Sequence, residues 1–581
     1  MTYVHSTMKP TCETLLKNLG YAPETYANSH VHSKERPFDV DGLVVEKECD
    51  SDSVGAFARY KIYDHLSNSS WTLESKIVLS DVDLSVLCHI VARMAPHGSI
   101  ARLQADGHRA GTVMVGLVLC FDNERIPVNL VSGDIGCGLT LVPFVDKQGV
   151  HLMDTHSTEY HSYVLACMRR SLKRGKTAEQ GLSTSRYLKE AVEFYEDGEL
   201  EPWLNDMKYV LDTIGIDYGR EGVLTYIGKF AQSLGSSGNH FMELAVDDCG
   251  KYWVVVHSGS RALGAMVYKA IADACRATHD GFEIATGKLA EFYTKAYDAL
   301  NKFAKLNRVI CAIAVLDDLG LETSAKALKS AMEESAIFAP AVSQCTNRGA
   351  ILGLLGGLTH NGLKAFVNDT EKTVMYVLSK GAIAIDCRGS AGIVALRAGE
   401  GCVVFTLVDA ACAWREASLR EATELDYMPV FDAGDGVVFA GHGAGRSQST
   451  SETARQSKFE DIAAFFEKNE MVGNIAPGVL GDNPEVAYKP SSEILPKLPL
   501  SIACTSSLLK TRVSHKEGIS YNKALTCACA KYIEHNTSEF APLWCDYNLV
   551  QSVIEPSAFE KGCAERDSLM ARMESKYKAR L

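Results

Sequence analysis

The strongest constraint on the fold of this chain is the irregular order in which strand-like and helix-like apolar patterns follow one another. Short β-like runs stand at residues 112–121, 139–145, 241–246, 252–256, 373–378, 402–408 and 436–440. Apolar spacings of three and four fill 155–216 and 262–335, most clearly in KLAEFYTKAYDALNKFAKL. Doubly wound sheets and barrels need strand and helix to alternate regularly, and here they do not. The pattern predicts an α+β fold, a mixed β-sheet core with helical insertions. FMELAV and YWVVV, joined by the short DDCGK turn, read as two consecutive strands.

Texture also divides the chain. Residues 1–75 are polar and irregular, with an acidic run at Glu46, Glu48, Asp50 and Asp52, and read as an N-terminal extension or small cap. Residues 76–518 carry the strands and every candidate functional motif, and residues 519–581 read as a helical, charged C-terminal extension. The 581 residues are 46% hydrophobic and 23% charged, and no apolar run reaches the ~18 residues of a membrane span. The 18 cysteines are scattered, and the polar N-terminus lacks a signal-peptide pattern, so they are expected to be reduced intracellular thiols. A net charge of −13 argues against nonspecific coating of nucleic acid, but leaves a local basic groove open.

Five places put polar side chains beside glycine near strand ends. NLVSGDIGCGLTLV sets Asp134 and Cys137 in one Gly-rich turn, where a carboxylate and a thiol can share a metal; in isolation it reads first as a tight turn with a buried thiol. SGNHFMEL offers Asn239, His240 and Glu243 at the entry of one strand, and VVVHSGSR offers His257, Ser258 and Arg261 past the end of the next. If those strands pair, the two imidazoles lie near strand ends, though not necessarily the same end. LTHNGL adds His360 and Asn361. VVFAGHGAGRSQS is the sharpest: a strand runs into Gly-His-Gly-Ala-Gly-Arg, leaving His442 exposed on a loop whose amides can face an anion, with Arg446 beside it. Taken singly, none says more than metal or phosphate, and a strand-end histidine is often merely structural.

Taken in order, DIGCG, GNHFME, HSGSR, HN and HGAGR resemble the RtcB-type RNA ligases. These are GTP- and manganese-dependent enzymes joining RNA 3′-phosphate or 2′,3′-cyclic phosphate ends to 5′-hydroxyl ends. ADGHRAG (105–111), NRG (347–349), SKGA (379–382), VAYKP (486–490) and RVSHKEG (512–518) resemble further motifs of that family, so the likeness spans roughly residues 80–518. It implies a two-manganese centre of Asp134, Cys137, His240, His257 and His360, with the Cys137 thiolate bridging the ions. It implies His442 as the nucleophile that takes GMP from GTP as a phosphoramidate and releases pyrophosphate. Asn239, Arg261, Arg446 and the loop residues Gly443, Ala444 and Gly445 would bind the nucleotide phosphates. Glu243 would accept hydrogen bonds from guanine, and Tyr488 and Lys516 would close over the base.

The implied substrate is RNA, as tRNA halves or other cleaved RNA, with an activating helper protein as a further partner and the cytoplasm as location. The chain also departs from the family. ALRAGEGCVV (395–404) lacks the serines of the family's guanine loop, Thr450 and Ser379 replace arginines, and the residues past 518 lie outside the resemblance. Two rivals stay open: a relative that binds Mn²⁺ and nucleotide but caps or repairs nucleic-acid ends without sealing, and a non-catalytic RNA-end binding module. The nucleophile together with the ligand set disfavours the module, since binding alone needs no nucleophile. RRSLKRGK (169–176) reads as a solvated basic helix face before an RNA contact, and the thiols Cys527, Cys529, Cys545 and Cys563 read as buried before a zinc site.

Overall fold

The computed structural model describes residues 12–22, 43–49, 58–64, 68–95, 99–110, 113–121, 125–153, 157–172, 187–194, 200–235, 239–279, 282–338, 358–368, 373–386, 391–407, 427–429, 436–473, 481–498 and 503–516. Helix and sheet are mixed without regular alternation, so the fold is α+β as the apolar patterns predict. The NRG motif at 347–349, the basic residues at 173–176 and the 519–581 extension with its cysteines lie outside the described residues.

Two large sheets and one small one carry the chemistry. The first has seven strands in the order Leu43–Cys49, Ala58–Asp64, Ser69–Ser75, Ile100–Ala110, Val113–Phe121, Thr373–Lys380 and Asn361–Asn368. Three of its strands come from residues that look polar and irregular in sequence. In Ala58–Asp64, buried and half-buried residues alternate strictly, placing Ala58, Tyr60, Ile62 and Asp64 on the inner face. The second sheet runs Leu358–Thr359, Gly138–Pro143, Tyr252–Ser258, Phe241–Val246, Ala503–His515, Cys402–Leu407 and Ala391–Ala395. A three-stranded sheet of Ala382–Asp386, Gly436–Gly441 and Tyr427–Pro429 completes the set.

A single long helix, Lys288–Asp318, underlies the second sheet and packs on Tyr252–Ser258 and Gly138–Pro143. Its first half is amphipathic, whereas Leu306–Leu316 is buried on every face, so the helix passes through the core rather than over it. No helix among the described residues is long and apolar enough to cross a membrane.

The hairpin Phe241–Val246/Tyr252–Ser258 has its register set by the DDCGK turn. Asp247 Oδ1 accepts from the amides of Cys249 and Lys251, each at 2.9 Å, and Gly250 takes the positive φ that the turn requires (+79°). Asp247 Oδ2 accepts from the indole Nε1 of Trp253 at 3.0 Å, which lets that fully buried ring sit in the core with its polar atom satisfied. Antiparallel pairing then sets Phe241 opposite His257, so His240 and His257 arrive at the same end of the hairpin. Replacing Asp247 with Ala strands the indole N–H and both turn amides. A loss of about 2–4 kcal/mol is expected in the denaturant-unfolding free energy, since an unmet buried donor costs about 1–3 kcal/mol.

Candidate active site

The site forms where the three sheets meet, and its floor is a knot of electron-pair donors. The turn after Val128–Val131 delivers Cys137 at the start of Gly138–Pro143; Gly136 adopts φ +69° there, and the Cys137 carbonyl accepts from the His360 amide at 2.8 Å. Cys137 Sγ lies 3.2 Å from His240 Nε2 and 3.3 Å from His257 Nε2. His257 Nε2 lies 3.1 Å from His360 Nε2, and His240 Nε2 lies 3.2 Å from Asp134 Oδ2. The five residues assigned to a metal by resemblance therefore stand together, and Cys137, His240 and His257 by themselves can hold an ion.

The donor chemistry fits a cation. His240 Nδ1 sits 2.8 Å from the carbonyl oxygen of Leu234, which can only accept, so the proton is on Nδ1 and Nε2 presents a bare lone pair. That lone pair faces a carboxylate and a sulfur, neither of which can donate as an anion. Burial holds His257 and His360 well below the ordinary imidazole range, with neighbouring imidazoles adding to the effect, so both present as neutral ligands. Burial also pushes the Cys137 thiol well above its usual value, and the adjacent Asp134 raises it further. A bound cation reverses that bias and holds the thiolate.

Further residues hold the knot in place; the sequence motifs contain Asn361 and Lys380 but do not reveal Arg308 or Asn307. Arg308, fully buried on the long helix, donates to the carbonyls of Gly136 and Ser258, each at 2.8 Å, and to Thr140 Oγ1 at 2.9 Å. It thus clamps the segments that carry Cys137 and His257. Its neighbour Asn307 donates to the Ser233 carbonyl at 3.0 Å. Asn361 ties the Asp134 carbonyl to the Gly381 amide. Lys380 Nζ donates to the Val131 carbonyl and Ser132 Oγ beside the Asp134 turn, with burial lowering its pKa.

His442 stands against this knot, its ring centroid 4.4 Å from that of His360. Its Nδ1 lies 2.6 Å from Asp106 Oδ2, and its amide donates to the same oxygen at 3.0 Å. The Nδ1–H donates to the carboxylate, which leaves Nε2 as the free lone pair. This corrects the picture of an exposed loop histidine. Only 15% of the His442 side chain is exposed, and its amide is engaged by Asp106. The glycines serve close approach: a Cβ on Gly441 would lie 2.6 Å from Asp106 Oδ1, and one on Gly445 would lie 2.3 Å from the Asp106 carbonyl oxygen. Asp106 is the functional residue that motif reading passed over, although ADGHRAG holds it.

Above the knot opens a cavity of about 430 Å³. His442, Gly443, Ala444, Gly445 and Arg446 form one side, with Asn239, Glu243, Tyr488 and Lys516 also in its wall. Glu243 is buried and accepts from Thr511 Oγ1 at 2.8 Å and Ser514 Oγ at 3.0 Å; burial raises its pKa against these hydrogen bonds. Arg446 donates to Asp482 Oδ1 at 2.7 Å and lies over the Tyr488 ring, and Lys516 Nζ is 3.8 Å from the other Asp482 oxygen. The buried Asp482 therefore gathers three of the expected nucleotide residues and is a second member that sequence reading missed. Arg261 is not in the wall. Its guanidinium turns to the Leu234 carbonyl at 2.7 Å and Ser233 Oγ at 3.1 Å, where it buttresses the same carbonyl that orients His240.

Metal content after equilibration with a divalent cation and desalting checks the knot. Cys137→Ala is expected to lower bound metal at least tenfold, because outer- and inner-sphere changes carry ~10–100-fold effects on affinity. Replacing the exposed Cys249 with Ala is expected to leave it unchanged.

Residues 89–337 match the family model described as RtcB: tRNA-splicing ligase RtcB. The matched stretch contains Asp106, Asp134, Cys137, Asn239, His240, Glu243, His257 and Arg261, whereas His360, His442, Arg446, Tyr488 and Lys516 lie beyond it. No curated protein matches the chain. This match over residues 89–337 supports an RtcB-type ligase family assignment.

Proposed function

We propose that this protein is an RNA ligase that joins a 3′-phosphate or 2′,3′-cyclic phosphate end to a 5′-hydroxyl end, using GTP and two manganese ions. The family supports an RNA-ligase kind of activity. The observation that carries the finer reading is the position of His442, packed on the His360 ring, oriented by Asp106 and opening into the same cavity as Glu243, Tyr488 and Lys516.

The residues divide the work as follows. Asp106 holds the Nδ1 proton of His442, so Nε2 points its lone pair at an α-phosphorus in the cavity. A phosphorus–nitrogen bond forms to Nε2 as the bond to pyrophosphate breaks, giving histidine–GMP. Glu243 receives the donor edge of guanine, and Asn239 aligns a phosphate. Arg446, steered by Asp482, supplies positive charge to the phosphates, and Tyr488 and Lys516 close over the base. Asp134, Cys137, His240, His257 and His360 would hold the metal pair, whose charge would offset that building on the phosphate oxygens. GMP then passes to the RNA 3′-phosphate, and the 5′-hydroxyl displaces it. A working Cys137 thiolate needs a reducing compartment, which fits the cytoplasm.

The acidic balance is compatible with an RNA substrate. The polyanion needs positive charge only where its ends react, and there the metal pair and Arg446 provide it.

Incubation with α-labelled GTP and Mn²⁺ is expected to leave GMP on the protein in an acid-labile, base-stable bond. His442→Ala should take no label, and Asp106→Asn should label at least ~10²-fold more slowly, in line with loss of an orienting acid–base partner. Full labelling of His442→Ala would remove the nucleophile assignment. Offered RNA with a 2′,3′-cyclic phosphate and a 5′-hydroxyl, the wild-type chain is expected to give a sealed product dependent on GTP and Mn²⁺. Label without sealing would favour an end-capping enzyme. That rival draws on the cavity wall at Ala395, Leu396, Arg397 and Ala398, where no serine hydroxyl is available to guanine.

A further inference from the structure

A second imidazole, that of His108, lines the cavity. His108 lies near the end of the strand Ile100–Ala110, in register with Val115, and both residues line the cavity that holds His442. Its Nδ1 lies 2.9 Å from the carbonyl oxygen of Asp106, a group that only accepts, so Nδ1 carries the proton and Nε2 is bare. Nε2 meets no hydrogen-bond partner among the described residues.

Asp106 thus sets two imidazoles at once, His442 through its side chain and His108 through its main chain. The backbone between them is pinned by Lys489, whose Nζ donates to the carbonyls of Ala105 and Gly107, each at 3.0 Å. A tether of this kind is more than a core histidine with one satisfied nitrogen needs.

The neighbourhood indicates which proton His108 serves. His442 needs no base, because Asp106 already leaves its Nε2 unprotonated. Pyrophosphate and GMP need no acid to depart, since phosphate leaving groups are stable anions. Once a 2′,3′-cyclic phosphate has been opened by water to the 3′-phosphate, the one group that must still lose a proton is the hydroxyl that attacks in the sealing step. The expected guanine contacts, Glu243 and Lys516, come from the second sheet, whereas His108 comes from the first. Immediately after His108 the strand emerges into solvent at Arg109 and Ala110, which opens this wall to a polymer strand.

We infer that His108 is the general base of end joining: its Nε2 takes the proton of the RNA 5′-hydroxyl as that oxygen attacks the activated 3′-phosphate. The new phosphorus–oxygen bond forms as the bond to GMP breaks. GMP leaves with the electron pair, and the proton rests on His108 before passing to solvent. Burial keeps His108 neutral, with a pKa near 4, and an incoming phosphate anion raises its basicity. This assignment rests on the RNA-ligase reading.

The test separates the two chemical stages. Wild type, His108→Ala and His108→Gln are compared for GMP labelling from GTP and for single-turnover sealing of RNA already carrying a 3′-diphosphate-guanosine end. Labelling of both variants is expected within about threefold of wild type, which shows that the site is folded. Sealing is expected to fall ~10²–10⁴-fold, the usual worth of a positioned base. Added imidazole should restore part of the sealing by His108→Ala and none by His108→Gln, whose side chain fills the space. Sealing by His108→Ala within about threefold of wild type would overturn the assignment. So would labelling and sealing that fall together without rescue. A wild-type chain that neither labels nor seals would instead bring down the ligase reading, and this assignment with it.

Discussion

Four lone-pair donors, Cys137 Sγ and the Nε2 atoms of His240, His257 and His360, are linked by contacts of 3.1–3.3 Å in an interior closed to solvent. Asp134 adds a carboxylate at the same distance. Such an arrangement favours a cation at its centre: His240 commits its proton to the Leu234 carbonyl, His257 and His360 are held neutral by burial, and a cation would displace the proton that burial keeps on Cys137. Holding it together in advance needs structure from every side. Arg308 pins two of the contributing segments, the Leu234 carbonyl fixes the His240 tautomer, and Asn361 couples the Asp134 turn to Gly381, whose neighbourhood includes the His442 ring.

The second dependency is Asp106. It takes no part in the donor knot, yet it determines which nitrogen of His442 is free, and the glycines at 441 and 445 allow the loop to close on it. Removing steric room there would move the nucleophile before it changed any metal ligand. The cavity therefore has a rigid floor and a histidine, His442, held by one carboxylate, with Arg446, Tyr488 and Lys516 gathered on a different carboxylate, Asp482.

Much of this is legible in the sequence, for definable reasons. The hairpin at 241–258 has continuous apolar strands and an Asp-Asp-Cys-Gly turn, so its existence follows from local chemistry, whereas the meeting of His240 with His257 at one end comes from the pairing register. The strand Ala503–His515 was not legible: ACTSSLLKTRVSH is half polar because Thr511 and Ser514 turn inward to hold Glu243, so the site itself erases the strand pattern. The strand Ala58–Asp64 hid similarly, with Arg59 and Lys61 on the outer face of a strictly alternating pattern. Arg308 was invisible because a lone arginine in an apolar helix carries no spacing signal; only its three acceptors, more than a hundred residues away for two of them, give it meaning. Arg261 shows the opposite error, since its motif neighbours suggested a phosphate contact and the fold uses it to brace Leu234.

The central claim is that the knot is a metal centre serving His442. Diffraction from crystals grown with Mn²⁺ and GTP, with anomalous data collected at the manganese absorption edge, tests it most directly. The account predicts two anomalous peaks among Asp134, Cys137, His240, His257 and His360, both within bonding distance of the Cys137 sulfur, and continuous density from His442 Nε2 to a guanosine phosphate. No anomalous peak at these residues, or a nucleotide joined to any other side chain, would contradict it.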